Sequence, residues 1–252
     1  MANELRGEPE PGARECALPS SFLCLLELLV KNISMSEFKI DQPEDKGERS
    51  TLWQRAQPKQ ERAVQQIEAI IAAAQNLLEQ LPISQITTSS VAAKAAIPVG
   101  SVYRYFPNIH AIYGVIFDRM NRDFTQILET SFKSRASDWK DEIRLSVQSL
   151  SSLFENSPSY RAVFLLALTS PELAALREHW NEELTAHFAT GWSEGDDGFS
   201  TRNFREVAVL VVELYNAIQS RIIREWHDAN LRENLTTELI LAIEAYLANY
   251  LE

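Results

Sequence analysis

From Val64 to the end of the chain, apolar residues recur at helical spacing, and runs alternating like strands are hard to find. Val64, Ile67, Ile70, Ile71, Ala74, Leu77 and Leu78 form one stripe and predict a helix over 60–79. Further stripes predict helices over 109–132, 138–155, 158–167, 171–189, 201–226 and 232–251. In the first of these, Ile112, Ile116, Met120, Phe124, Ile127 and Leu128 point inward. Pro158 and Pro171 suit first turns, where a missing N–H costs nothing. The glycine-containing break at 191–200 predicts a surface loop. With eight glycines in all, the chain reads as all-α.

Residues 87–106 break this rhythm. Thr87, Thr88, Ser89 and Ser90 are N-cap types, and Val91, Ala92 and Ala95 follow at helical spacing. Pro98 biases Ile97 away from the helical region and can open a second short helix running to Tyr105. Ala92, Ala93, Ala95, Ala96 and Gly100 let two such helices cross closely. This is the pattern of a helix-turn-helix, whose second helix enters the major groove. The bare spacing fits an ordinary helical hairpin equally well.

Charge bears on that choice. The net charge of −11 argues, taken whole, against nucleic acid. Its distribution argues the other way: residues 1–58 hold 7 basic and 10 acidic side chains, 59–122 hold 6 and 4, and 123–252 hold 11 and 21. The only net-positive segment contains the two short helices, as in a small DNA reader on an acidic body. The excess is modest, so binding should be strongly salt-sensitive and benefit from a second copy. Hydrophobic residues at 45% and charged residues at 23% are ordinary for a globular protein with an ample core.

Here the residues resemble a known family. Thr87-Thr88, Val91-Ala92, Ala95-Ala96-Ile97 and Gly100-Ser101-Val102-Tyr103-Arg104-Tyr105-Phe106-Pro107-Asn108 look like the DNA-binding signature of the tetracycline-repressor (TetR) family of bacterial transcription regulators, over roughly Arg62 to Val115. Two positions depart from it. Ile109-His110 stands where the family usually has Lys-Glu, which removes a phosphate contact, and Ala96 replaces the turn glycine, a conservative change if positive φ is not needed.

The resemblance implies three domains: an N-terminal extension (1–58), a three-helix helix-turn-helix DNA-binding domain (59–108) and a helical ligand-binding and dimerisation domain (109–252). It also implies a connecting helix after residue 108 whose displacement by ligand moves the DNA reader. DNA candidates are Thr87, Thr88, Ser89, Val99, Gly100, Ser101, Tyr103, Arg104, Tyr105 and Asn108. Thr88 can bind phosphate through its hydroxyl and N–H, Gly100 permits close backbone approach, Val99 can touch a thymine methyl, and Arg104 supplies charge or a guanine contact. Tyr103 and Tyr105 can donate to phosphate, although an aromatic at the spacing of Tyr103 also fits a core; Val102 and Phe106 read as core. Candidates for an effector pocket among the middle helices are Trp139, Leu150, Phe154, Tyr160, Phe164, Trp180 and Tyr215, with Arg161 or His187 orienting a polar end. The implied effector is small and apolar or aromatic. Taken singly, each aromatic fits plain core as well.

Val207, Val211, Leu214, Tyr215, Ile218 and Ile222, with Leu235, Leu239, Ile243, Tyr246, Leu247 and Tyr250, form two long apolar faces, which the resemblance implies pack against a second copy as a homodimer interface. The other reading is a monomer core.

The remaining features narrow the field. Cys16 and Cys24 support no disulfide framework, so a reducing cytoplasm is expected. The apolar run Phe22–Val30 contains Glu27 and is too short to span a bilayer, and Glu4, Glu8, Glu10 and Glu15 oppose a signal peptide. No membrane partner is expected. Met35 reads as the natural start, or else residues 1–34 as an appendage. Residues 36–58, with Pro43 and Pro58, read as a disordered leader or as an arm offering Arg49 and Arg55 to a minor groove. His110, His179, His187 and His227 are dispersed, Glu182-Glu183 and Asp196-Asp197 look solvated, and neither a phosphate loop nor a nucleophile elbow occurs. No enzyme, metal or cofactor is expected. The expected function is a ligand-responsive DNA-binding repressor; the alternative is an all-α small-molecule-binding or interaction protein without functional DNA binding.

Overall fold

The computed structural model describes residues 52–133, 139–194, 198–201 and 203–250, and these form nine α-helices. Helices α1 (Leu52–Gln80), α2 (Thr88–Lys94) and α3 (Val99–Tyr105) come first, with a 3-10 turn at Ile83–Gln85 after α1. Helix α4 (Ile109–Lys133) leads into α5 (Trp139–Asn156), α6 (Pro158–Ala167), α7 (Pro171–Glu194), α8 (Phe204–Arg224) and α9 (Ala229–Leu247), closed by a 3-10 turn at Ala248–Tyr250. The all-α reading holds. The suggestions about Met35, Phe22–Val30, the cysteines and Arg49 lie outside the described residues, as does the side chain of Arg55.

Several boundaries differ from the sequence reading, three of them with a local consequence or cause. Helix α1 begins at Leu52, so residues 52–58, read as part of an arm, are helical and Pro58 sits inside the helix. A proline within a helix forfeits its own hydrogen bond and commonly leaves a bend, not a stop. Helix α7 continues to Glu194 through residues expected to be loop. The reason is Trp192, 4% exposed, which stacks on Phe188 one turn earlier at 5.5 Å and meets Phe199 at 6.0 Å, so its burial holds the last turn. Helix α9 starts at Ala229, where Asp228 caps it by accepting a 2.9 Å hydrogen bond from the Leu231 N–H.

The two C-terminal stripes also require correction. Val207, Val211, Tyr215, Ile222, Leu239, Ile243 and Leu247 are buried within the protomer, most of them in a core shared with α4, α5 and α7. Large apolar residues on α8 and α9 that remain exposed are Val209, Leu210 and Leu241, and Leu214 and Ile218 of the stripe are half-buried. Periodicity finds an apolar face without saying what covers it.

Helix α4 joins the two halves. Every residue from Ala111 to Asp118 is buried, more than one apolar stripe requires, because α1 packs on one side and α6 and α7 on others. Polar contacts fix the arrangement: Arg119 pairs with Glu68 of α1, and the Tyr160 hydroxyl of α6 donates a 2.7 Å hydrogen bond to Asp123. No helix of the described residues is long and apolar enough to cross a membrane.

Candidate nucleic-acid interface

Local chemistry explains the start of α2. Thr87 accepts a 3.1 Å hydrogen bond from the Ser90 N–H, and the Ser90 hydroxyl accepts one of 2.9 Å from the Thr87 N–H. This reciprocal capping box satisfies two otherwise orphaned donors. Thr88, the first helical residue, is 8% exposed, so its hydroxyl is not presented to a partner as the sequence reading had it. Thr87 and Ser89 are exposed.

The turn that follows is a Schellman motif. Ile97 N–H donates to the Ala92 carbonyl at 3.0 Å and Ala96 N–H to that of Ala93 at 3.2 Å. Ala96 has φ 54°, the left-handed region in which a Cβ costs about 1–2 kcal/mol. The alanine is therefore not conservative: the chain makes the turn a glycine would make, under strain.

Pro98 caps α3 with its carbonyl, which accepts from the Ser101 N–H at 2.8 Å. Val102 and Phe106, both buried, anchor the helix from below. That leaves Val99, Gly100, Tyr103 and Arg104 on one exposed face, with Tyr103 at 54% exposure. An aromatic so exposed is not core. Ser101 and Tyr105 flank this face, half-buried. At Gly100 an added Cβ would meet no atom within 4 Å and φ is not positive. The fold has no need of glycine there; an outside surface approaching the backbone would.

Helix α1 braces the far end of α3. The Tyr105 hydroxyl donates to Gln66 Oε1 at 2.8 Å, Arg104 reaches the same oxygen at 3.2 Å, and the Arg104 guanidinium lies 4.7 Å above the Tyr105 ring. Sequence reading missed Gln66, because a polar residue on an exposed helix carries no mark of a partner 39 positions away. Asn108 is exposed and accepts a 3.0 Å hydrogen bond from the Ala111 N–H, capping α4. Ile109 is half-buried.

The cations divide by use. Arg119 and Arg122 are held by Glu68 and Asp118, whereas Arg62, Lys94 and Arg104 are exposed without a carboxylate partner among the described residues. Lys94, in the last turn of α2, is a second residue that sequence reading passed over.

The proposed effector residues do not converge. Leu150 and Tyr215 line a purely apolar cavity of about 40 Å³, together with Phe124 and Leu128 of α4, Val147, Leu184 and Phe188. Phe154 and Phe164 border a separate space of about 20 Å³, and Trp139 one of about 10 Å³. Tyr160 is committed to Asp123, and Arg161 to the Phe154 carbonyl and the Trp226 ring. Trp180 and His187 line none of these spaces. The Tyr215 hydroxyl is buried with no hydrogen-bond partner among the described residues, and burial pushes its ionisation well above the ordinary tyrosine range.

A capped helix, a tight turn and a braced second helix with an exposed polar and basic face form a helix-turn-helix, the arrangement that places a helix in a DNA major groove. Residues 70–115 match the family model of bacterial regulatory proteins, tetR family. Residues 70–115 are thus similar to the DNA-binding part of tetR-family bacterial regulators, and the fold of the chain is similar to theirs. No curated protein matches it. Among solved structures, a transcriptional regulator from Cytophaga hutchinsonii shares 19% identity and a TM-score of 0.58, covering 73% of this chain and 98% of its own. A TetR-family regulator from Streptomyces coelicolor shares 20% identity and a TM-score of 0.52, covering 74% and 99%. A SmeT–triclosan complex shares 17% identity and a TM-score of 0.58, covering 74% and 92%.

Proposed function

We propose that this regulator is a homodimeric repressor released from its operator by a small apolar molecule bound in the cavity beside α4. The carrying observation is the double duty of α4: it begins just after α3, and Phe124 and Leu128 further along it wall the apolar cavity. A space of about 40 Å³ holds little more than water, so any organic occupant must push its walls apart. Movement of α4 is then carried to the reader it supports. Leu150, Phe188 and Val147 favour an apolar ligand. Similar folds solved with triclosan and, in a multidrug binding protein, with imidazole support this class.

Charge supports the dimer. Arg62, Lys94 and Arg104, the cations of the reader without a carboxylate partner among the described residues, give little phosphate affinity, whereas two readers on one operator double it. The occupied face would be the exposed one, including Leu210 and Leu241 with the half-buried Leu214 and Ile218. In this reading residues 59–108, extended back to the start of α1, read DNA and 109–252 receive the ligand and the second copy. The second reading, a helical carrier without DNA binding, is favoured by Ile109 at the lysine position and the small positive charge.

Fluorescence anisotropy with the duplex upstream of the protein's own gene separates the two. A repressor gives specific binding that weakens steeply with salt and is reversed by an apolar probe such as triclosan. Absence of salt-dependent specific binding selects the carrier.

A further inference from the structure

We infer that the groove between the second half of α5 and the α8–α9 corner is a separate binding site for a small organic acid whose body also carries an amide or similar hydrogen-bonding group. The groove measures about 490 Å³, against about 40 Å³ for the apolar cavity, and its lining is polar where the cavity's is not.

Two features point to an occupant. The first is Gln219 on α8, 1% exposed, which lines the groove although neither its amide nitrogen nor its amide oxygen has a hydrogen-bond partner among the described residues. A position needing only bulk would take leucine or methionine, since a buried amide without partners is costly. Its adjacent donor and acceptor match a ligand amide, which offers the complementary pair.

The second is at Trp226, which also lines the groove. The Arg161 guanidinium lies 4.2 Å from its ring centre and that of Arg232 lies 4.6 Å away. Each donates to one backbone carbonyl, Arg161 to Phe154 and Arg232 to Trp226. Neither has a carboxylate within ion-pair distance among the described residues. The proximity is unfavourable: burial and the charge of Arg232 both lower the Arg161 pKa. Of the two guanidiniums Arg232 lines the groove, and without a counter-charge it suits a carboxylate, which it can grip bidentately. Glu155 and Glu233 line the same groove and disfavour a multiply charged phosphate, so the ligand is a monoanion. The apolar cavity would reject such a molecule, because no charge partner lines it.

The probe is N-benzoylglycine, which combines a ring, an amide and a carboxylate, titrated calorimetrically into the full chain without DNA. This readout is independent of whether the protein represses. Saturable binding is expected, weakened at least tenfold by Arg232→Gln and by Gln219→Leu, with the methyl ester bound at least tenfold more weakly than the acid. Arg232 is half-buried at the edge of the groove, so its variant carries the test if Gln219→Leu perturbs folding by circular dichroism. Equal binding of acid and ester, or wild-type affinity in Arg232→Gln, overturns the assignment. So does the absence of binding by N-benzoylglycine, N-acetylglycine and benzoate alike.

Discussion

The Tyr105 hydroxyl donates a 2.8 Å hydrogen bond to Gln66 Oε1, so the end of the recognition helix is held by the helix that backs it. Gln66→Leu keeps the volume and removes the acceptor. Net loss of about 1 kcal/mol of stability is expected, with DNA affinity reduced roughly fivefold as Arg104 and Tyr105 lose their common support. Chemical denaturation and anisotropy measure the two effects; full DNA affinity in the variant would falsify the bracing role.

Gly100 separates fold from recognition. An added methyl meets nothing in the protein, so Gly100→Ala should leave stability unchanged or raise it by about 0.5–1 kcal/mol. DNA binding should nevertheless weaken, because the methyl fills the gap that close backbone approach requires. A variant that is more stable and binds normally would place the DNA elsewhere on α3.

Ala96 carries strain that a single substitution removes. With φ at 54°, Ala96→Gly relieves about 1–2 kcal/mol of steric cost and gives back part of it in unfolded-chain entropy. A net gain of about 0.5–1 kcal/mol in denaturation is expected, with DNA affinity unaltered.

Arg104 is exposed on the recognition face, and its replacement tests phosphate or guanine contact directly. If it pairs with phosphate, Arg104→Ala lowers affinity similarly on all sequences and reduces the slope of log K against log salt by about one. If it reads guanine, the loss concentrates at one operator position.

Asp118 gives a pH signature. It is 1% exposed, and burial raises its pKa even though Arg122 sits 2.9 Å away and lowers it. The folded state therefore holds this proton more tightly than the unfolded chain, and its contribution to stability falls as pH rises from the ordinary aspartate range through the raised value. Asp118→Asn should melt higher than the parent at neutral pH, and the difference should vanish below about pH 3, where both states of the parent are protonated. Equal melting curves at pH 7 would mean that Arg122 fully offsets the burial.

Much of this molecule was legible in the chain because the signals were local. Thr87 to Ser90 announce a cap, Pro98 a second start, and the apolar stripes nearly every helix, since capping and periodicity depend on neighbours within four residues. Positions whose meaning depends on distant partners were not legible. Thr88 looked like a contact, yet its side chain is buried. Gln66 carried no signal, and the aromatic residues chosen for one pocket are spread over separate spaces and hydrogen bonds.

The sequence by itself determined the helices, the helix-turn-helix and its resemblance to the tetR family, because those rest on short-range stereochemistry and on the spacing of small and apolar residues. Only the tertiary structure decided that the C-terminal stripes form the core of the protomer, that Ala96 is strained, and that Phe124 and Leu128 of α4 wall a cavity. Each of these follows from which surfaces meet across the chain, and packing at that range leaves no periodic trace in the order of residues.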